Sequence, residues 1–143
     1  MPRLVFRSEI AASVEELARF HASTRALYLL KPPLSKFWME PAEVEMVSGA
    51  RVSTFTQVGP ITVKWSALIT EAGPTGFHDI SEEGPFRTWS HWHRFKPNGT
   101  GSILEDDITY ETGKGALLDF LASFGIRAYF WHRHRVTKRS VVR

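Results

Sequence analysis

The sequence predicts an α+β fold, in which an antiparallel sheet is covered by one long C-terminal helix. The apolar period changes from helical to two after Gly49, glycine-containing turns recur up to residue 99, and the helical period returns from Ala116. The C-terminal helix is the only predicted element large enough to cover one face of such a sheet. A length of 143 residues predicts a single domain over residues 1–143.

The N-terminal part predicts one strand and two short helices. Residues 3–8 alternate in polarity, as a strand does. Ser13 and Glu16 have the spacing of a capping box, which predicts that a helix begins there. A second short helix over residues 23–30 ends before two consecutive prolines, because a residue that precedes proline avoids the α region. Residues 36–47 are compatible with a further strand, but their pattern alone does not decide it.

The central part predicts five strands joined by turns. The strands are expected over residues 51–58, 61–70, 77–82, 86–96 and 102–111. The final helix is expected to run from Ala116 towards Val141, with Gly125 as a weak point.

The composition excludes several classes of protein and site. Without cysteine there is no disulfide framework, zinc-thiolate site, iron–sulfur cluster or thiol nucleophile. A net charge of +3 is too small to indicate nucleic-acid binding. No signal peptide and no run of 18 apolar residues is seen, so we expect a cytoplasmic protein without a transmembrane helix. Ten Phe, five Trp and three Tyr predict either a dense core or a cavity lined by aromatic rings.

The turns also predict how the strands pair. A turn centred on residues 84–85 places Asp79 opposite His91, and one centred on residues 98–99 places His91 opposite Asp106. The same turns predict three further pairs, Phe77 with His93, His93 with Leu104, and Trp89 with Ile108. All these residues belong to the more apolar face, so we expect a buried Asp79–His91–Asp106 row in which two acids raise the pKa of the imidazole.

This row has four interpretations. It is a hydrogen-bonded structural network, a set of polar groups that orient a ligand, an acid–base catalytic group or a metal site. In the catalytic case His91 is the acid–base, Asp79 or Asp106 orients it, and Tyr110 polarises a carbonyl group. His91 and His93 with a nearby carboxylate are suitable donors for Zn or Fe, but two such histidines on a strand are common, so no metal or cofactor is assigned.

Three segments resemble one protein family. The first matches the pattern F-x-D-x-Q-x-x-G-P-F-x-x-W-x-H-x-H-x-F, with Ser81 in place of Gln, through Phe77, Asp79, Gly84, Pro85, Phe86, Trp89, His91, His93 and Phe95. Residues 106–110 resemble its D-x-V-x-Y strand, and residues 130–135 its F-x-[YF]-R-H-R helix end. The chain thereby resembles a bacterial, polyketide cyclase-like branch of the SRPBCC superfamily, which also contains START domains and the allergen Bet v 1.

The resemblance implies a helix-grip fold, with a seven-stranded antiparallel sheet curved around the C-terminal helix and a deep cavity between them. It also implies that residues 36–47 supply the missing strand. Residues 112–115 stand where members carry a proline, so the edge of the cavity is expected to differ. The family contains lipid carriers, hormone receptors and cyclases, so the resemblance does not define the activity.

The first functional hypothesis is binding of a hydrophobic or amphipathic small molecule, lipid-like or polyketide-like, in that cavity. The expected lining comprises Trp65, Phe77, Asp79, Trp89, His91, His93, Phe95, Leu104, Asp106, Ile108, Tyr110, Leu117, Phe120, Leu121 and Phe124. The simpler alternative is that the aromatic rings only fill the core.

Two other functions remain open. One is an enzyme of the cyclase, dehydratase or hydrolase type that uses His91. The other is binding of nucleic acid or an anionic membrane surface by the basic end of the last helix. That segment contains Arg127, His132, Arg133, His134, Arg135, Lys138, Arg139 and Arg143. The ligand and the oligomeric state are not indicated.

Overall fold

The computed structural model describes residues 1–141, in which strands and helices follow the predicted order. The strands are β1 (Arg3–Ile10), β2 (Lys36–Glu40), β3 (Arg51–Val58), β4 (Ile61–Gly73), β5 (Gly76–Glu83), β6 (Thr88–Asn98) and β7 (Gly101–Glu111). The helices are α1 (Val14–Phe20), α2 (Leu27–Leu30), which continues a 3-10 turn over Thr24–Ala26, and α3 (Ala116–Val141).

Within the described residues the strands form one antiparallel sheet of seven, in the order β1-β7-β6-β5-β4-β3-β2. The α+β helix-grip fold expected from the sequence is thereby confirmed, with two short helices after the first strand and one long helix at the end. Residues 36–40 supply the seventh strand at the edge of the sheet. The first strand pairs with the last, so β1 forms the other edge of the sheet.

The short helices are held in place by local hydrogen bonds. The predicted capping box is present, since the Ser13 hydroxyl accepts a hydrogen bond from the backbone N–H of Glu16 at 3.1 Å. Thr24 is fully buried and forms two hydrogen bonds with Val44. Its backbone N–H donates to the Val44 carbonyl, and its hydroxyl oxygen accepts from the Val44 N–H. This contact fixes the short helices beside the segment that joins β2 to β3.

The predicted pairing of β5 with β6 is correct, but that of β6 with β7 is wrong by two residues. Asp79 lies opposite His91, whereas His93, and not His91, lies opposite Asp106. The two other predicted pairs shift likewise, so Phe95 lies opposite Leu104 and Trp89 opposite Tyr110. The turn contains Gly99 and Thr100 instead of Asn98 and Gly99, because Asn98 pairs with Gly101. A shift of two residues preserves the face of each side chain.

The buried face of α3 also differs from the prediction. Leu117, Phe120, Leu121 and Phe124 are exposed, and Leu117 keeps 71 % of its accessible surface. The buried residues of the helix are Ser123, Ile126, Phe130, His134, Thr137 and Val141. Apolar residues are distributed around the whole helix, so polar partners decide which side faces the sheet. Tyr110, for example, donates its hydroxyl hydrogen to the Asp119 carbonyl.

The outer face of β7 contains two buried acids. Glu105 and Asp107 lie on the convex side of the sheet and are buried there. They are covered by the side chains of Arg3, Arg7, Arg94 and Lys96, which form ion pairs with them. These long cationic side chains bury their stems while their charged ends remain partly exposed.

Candidate functional site

A cavity of about 180 Å³ lies against the concave face of the sheet. Its walls are mostly apolar, and it is far larger than the space of about 10–15 Å³ that one water molecule requires. The lining residues from the N-terminal segments are His21, Ser23, Ala26, Leu27, Leu30, Pro32, Phe37 and Met46. Those from the sheet are Val52, Thr54, Thr56, Val63, Trp65, Ala67, Ile69, Phe77, Asp79, Trp89, His91 and His93, and those from α3 are Tyr129 and Arg133.

One end of the cavity is polar, because β5 and β6 place Asp79, His91 and His93 on its wall. His93 Nε2 is 2.8 Å from Asp79 Oδ2 and hydrogen-bonded to it. His91 Nδ1 is 3.9 Å from the same oxygen, which is too long for a hydrogen bond. The two imidazole rings lie against each other, with centroids 3.6 Å apart.

Asp106 lies behind the histidines and joins them to α3. Its Oδ1 is 2.7 Å from His91 Nε2, and its Oδ2 is 2.6 Å from His134 Nε2. His134 Nδ1 is in turn 2.7 Å from the hydroxyl of Ser8 on β1. The Asp106 carboxylate and the imidazoles of His91 and His134 are buried. The carboxylate therefore holds both rings in fixed orientations.

His93 has one ring nitrogen without a hydrogen bond. Its Nδ1 is buried and lies 3.1 Å from Asp106 Oδ1, but the N–H direction does not meet the oxygen. Buried polar atoms without partners are rare, since each one costs about 1–3 kcal/mol. The cluster therefore contains more nitrogen atoms than its own residues can pair.

The pKa values of the two imidazoles are shifted in opposite directions. Burial, together with the neighbouring charge of His93, lowers the pKa of His91 to about 4. Burial would also lower the pKa of His93, but its close contacts with Asp106 and Asp79 raise it above the ordinary value. The expectation that two acids raise the pKa of His91 is thus wrong, because burial outweighs them there; the pKa that the two carboxylates raise is that of His93.

Both carboxyl groups favour the ionised form. Burial alone would raise the pKa of Asp106, yet the hydrogen bonds with His134 and His91 and the close contact with His93 keep it well below its usual range. The pKa of Asp79 is lowered in spite of burial, chiefly by the hydrogen bond from His93. The polar end of the cavity therefore carries negative charge on Asp79 beside the neutral ring of His91.

Arg133 brings a second charge to the cavity. Its guanidinium carbon lies 5.0 Å from the ring centroid of Phe130 and 5.6 Å from that of Tyr129. Among the described residues no ion pair of Arg133 is found within 4.0 Å. In the sequence, Arg133 and His134 belong to a basic segment, and the one signal that singles them out is the resemblance of residues 130–135 to a family motif.

The predicted lining residues fall into three groups. Trp65, Phe77, Asp79, Trp89, His91 and His93 border the cavity. Phe95, Leu104, Asp106, Ile108 and Tyr110 are buried behind it, so their predicted place on its wall is wrong. Leu117, Phe120, Leu121 and Phe124 are exposed on α3, and their predicted place is wrong because the helix is rotated.

Tyr110 is not placed to polarise a substrate carbonyl. Its ring is fully buried, and its hydroxyl donates a hydrogen bond of 2.7 Å to the Asp119 carbonyl. It packs with Trp89, Ile108 and Phe130 in the core beneath the N-terminal half of α3. Tyr110 thus fixes the helix against the sheet, and the catalytic role considered for it is not supported by its position.

The basic segment of α3 is divided between two environments. Arg127, Arg135, Lys138 and Arg139 are exposed, whereas Arg133 reaches the cavity and His134 is buried. His132 Nε2 lies 2.9 Å from the Lys31 carbonyl, which attaches α3 to the end of α2. Arg143 lies outside the described residues. The exposed cations therefore form a smaller surface than the sequence predicted.

No family model matches the chain, and no curated protein matches it. Solved structures do resemble it. Protein Ms6760 from Mycobacterium smegmatis has a TM-score of 0.77 at 18 % identity, covering 98 % of this chain and 90 % of that one. Protein CV1439 from Chromobacterium violaceum has a TM-score of 0.80 at 10 % identity, covering 97 % and 96 %.

The allergen Ara h 8.0201, a member of the Bet v 1 group, is similar in the same way. Its TM-score is 0.76 at 12 % identity, and the match covers 98 % of this chain and 97 % of that one. At these identities the likeness shows the fold alone, which is Bet v 1-like. None of the helices in the described part of the chain has the length and apolar character needed to span a bilayer.

Proposed function

We propose that the protein binds a hydrophobic or amphipathic small molecule between the sheet and the helices. The observation that carries the proposal is the cavity of about 180 Å³, which has an apolar wall and a few polar groups gathered at one end. Ligand sites combine these two features, because apolar contacts supply affinity and a few polar groups fix the orientation. A core that was only packed would leave no such space.

The lining indicates the kind of ligand. Trp65 and Trp89 offer flat apolar surfaces near one another, with ring centroids 4.8 Å apart. His91 Nδ1 and the Arg133 guanidinium offer polar contacts on the same cavity. We therefore expect an apolar, ring-containing or chain-like body that carries one polar or acidic group.

Binding is favoured over acid–base catalysis by the state of His91. A general base works best when its pKa lies near the working pH. With a pKa of about 4, His91 is a weak base at neutral pH. A lipid-like or polyketide-like ligand that is held without being converted agrees better with this value than a cyclase or dehydratase reaction does.

The test is binding of an anionic naphthalene sulfonate dye, followed by its fluorescence and by quenching of the tryptophans. The variant Ala67→Leu adds bulk inside the cavity, whereas Ala128→Leu makes the same change on the exposed side of α3. We expect saturable binding by the parent protein and by Ala128→Leu, and binding at least about tenfold weaker, or 1.4 kcal/mol, by Ala67→Leu.

Two outcomes would overturn the proposal. The first is a folded parent protein that does not bind the dye and from which native mass spectrometry detects no co-purified small molecule. The second is equal binding by Ala67→Leu and Ala128→Leu, which would place the dye on the surface. Unfolding curves of each variant show that loss of binding does not reflect loss of the fold.

A further inference from the structure

We propose that Asp79, His91 and His93 bind a divalent transition-metal ion, such as Zn²⁺ or Fe²⁺, at the polar end of the cavity. Two imidazoles and one carboxylate are a donor set that both ions use. The inference does not rest on the proposed binding of an organic ligand: the two proposals share His91 Nδ1, but the metal site has its own test.

The donor atoms are close enough to share one ion. A carboxylate oxygen of Asp79, a nitrogen of His91 and a nitrogen of His93 all lie within 4.8 Å of one another. Bonds of about 2.0–2.2 Å in a tetrahedral site place neighbouring donors about 3.3 Å apart. The separations of Asp79 Oδ2 from His93 Nε2 and from His91 Nδ1, 2.8 Å and 3.9 Å, lie on either side of that value.

Asp106 orients both imidazoles for this role. Histidine ligands commonly donate their second N–H to a carboxylate, which fixes the tautomer and the ring direction. His91 Nε2 already makes this hydrogen bond to Asp106, and His93 Nδ1 lies 3.1 Å from the same oxygen. A metal ion on the opposite nitrogens, His91 Nδ1 and His93 Nε2, would leave the His91 hydrogen bond to Asp106 intact and His93 Nδ1 close to the same carboxylate.

The unpaired nitrogen of His91 supports a metal site over a purely structural network. His91 Nδ1 lies on the side of Asp79 and makes no hydrogen bond among the described residues. His78 shows the contrast on the outer face of the sheet, where the hydroxyls of Thr70 and Ser90 engage both ring nitrogens. His134 likewise has both ring nitrogens paired, with Ser8 and Asp106.

The surroundings suit an ion with open coordination positions. Asp79 and Asp106 together bring two carboxylates, which match the charge of a divalent cation. The three donors all lie on the cavity wall, so the remaining positions face space that a small molecule can enter. Catalytic and ligand-binding metal sites differ from closed structural sites in this respect.

The test uses the full-length protein after treatment with a chelator. Co²⁺ is followed by its visible absorption and Zn²⁺ by calorimetry, in the parent protein and in Asp79→Asn, His93→Gln and Asp106→Asn. His78→Gln, which changes a histidine adjacent to Asp79 in sequence but on the outer face, is the matched control.

We expect the parent protein and His78→Gln to bind one ion per chain. Asp79→Asn and His93→Gln should lose binding, and the affinity of Asp106→Asn should be weakened about 10–100-fold.

Thermal unfolding gives a second readout that does not depend on the stability of a variant. An ion that binds only the folded state raises the melting temperature. Zn²⁺ should raise that of the parent protein and of His78→Gln but not that of Asp79→Asn. The proposal is overturned when the parent protein binds neither ion, or when Asp79→Asn and His93→Gln bind as tightly as the parent does.

Discussion

Asp106 on β7 and His134 on α3 are joined by a hydrogen bond of 2.6 Å between Oδ2 and Nε2, although 28 residues separate them in sequence. The other oxygen of the same carboxylate binds His91 on β6. Because a buried carboxylate must keep its partners, this contact and the Tyr110 hydrogen bond to Asp119 together determine which side of α3 faces the sheet. Asp106 thus links the orientation of the helix to the polar end of the cavity.

The first prediction concerns the charge of Asp106. Asp106→Asn keeps the shape of the side chain but removes the negative charge that faces three imidazoles. Loss of one partner of a buried ion pair costs about 3–5 kcal/mol. We expect a loss of that size in the free energy of unfolding, measured with urea. Glu111→Gln is the control on the same strand, since its contact with Arg87 is 3.8 Å long and partly exposed. A loss below about 1 kcal/mol for Asp106→Asn would contradict the buried network.

The second prediction tests the rotation of α3. Phe130 is 1 % exposed and Phe124 is 57 % exposed, although both lie on the same helix. Phe130→Ala should cost about 3–5 kcal/mol of stability, because it removes a core ring that stacks on Phe6. Phe124→Ala should change stability by no more than about 0.5 kcal/mol. Chemical denaturation of the two variants separates these cases, and equal losses would show that the N-terminal half of the helix is also packed.

The strands were predictable because their signals are local. Alternation along β6 and β7 shows which side chains share a face, and a pairing error of two residues leaves that face unchanged. Asp79, His91, His93 and Asp106 were therefore assigned correctly to the concave side, although the partner of Asp106 was wrong. The turn through Gly99 and Thr100 could not be distinguished from its neighbour, because both choices contain Gly99.

The position of α3 was less predictable for a physical reason. Its apolar residues occur on every side, so the run from Leu117 to Phe124 suggested a buried face that is in fact exposed. The buried side instead contains Ser123, His134 and Thr137, whose burial depends on partners elsewhere in the chain. Periodicity within one helix does not contain that information. The same limit applies to Arg133, since its place on the cavity follows from the rotation of the helix.

The third prediction concerns Gly76 at the start of β5. Its φ is +148°, and a Cβ atom there would lie 2.0 Å from the carbonyl oxygen of His93. Gly76→Ala should therefore destabilise the protein by more than about 1 kcal/mol. Gly125→Ala is the matched control within α3, where a Cβ atom would meet nothing within 4 Å. That change should raise stability by about 0.5–1 kcal/mol, because alanine favours helices.

Thermal and urea unfolding of the two glycine variants provide the comparison. Gly76 also adjoins the strand that holds His93, so its substitution should disturb near-ultraviolet circular dichroism from the surrounding rings. A Gly76→Ala protein as stable as the parent would show that β5 and β6 approach less closely than the structure describes.

The fourth prediction concerns the effect of acid on His21. This ring is buried against Phe20, Phe77 and Phe95, and its Nδ1–H donates to the Leu17 carbonyl. Burial lowers the pKa of His21 to about 3. The charges of His93 and Arg133 reinforce this shift, whereas the hydrogen bond to Leu17 and the charge of Asp106 oppose it. An unfolded histidine has a pKa of about 6.5, so acid favours the unfolded chain.

The direction of the effect follows from these two values. Above about pH 6.5 the imidazole is neutral in both states and does not alter stability; below it, only the unfolded chain takes up the proton. Stability should therefore fall as the pH decreases from about 6.5 towards 3, by up to about 1.4 kcal/mol per pH unit for this group.

Urea unfolding at a series of pH values measures this slope of stability against pH. His21→Phe keeps the ring contacts but cannot titrate, so its slope should be shallower below pH 6.5 and equal to that of the parent protein above it. Identical slopes below pH 6.5 would mean that His21 is protonated in the folded protein, in conflict with its apolar surroundings.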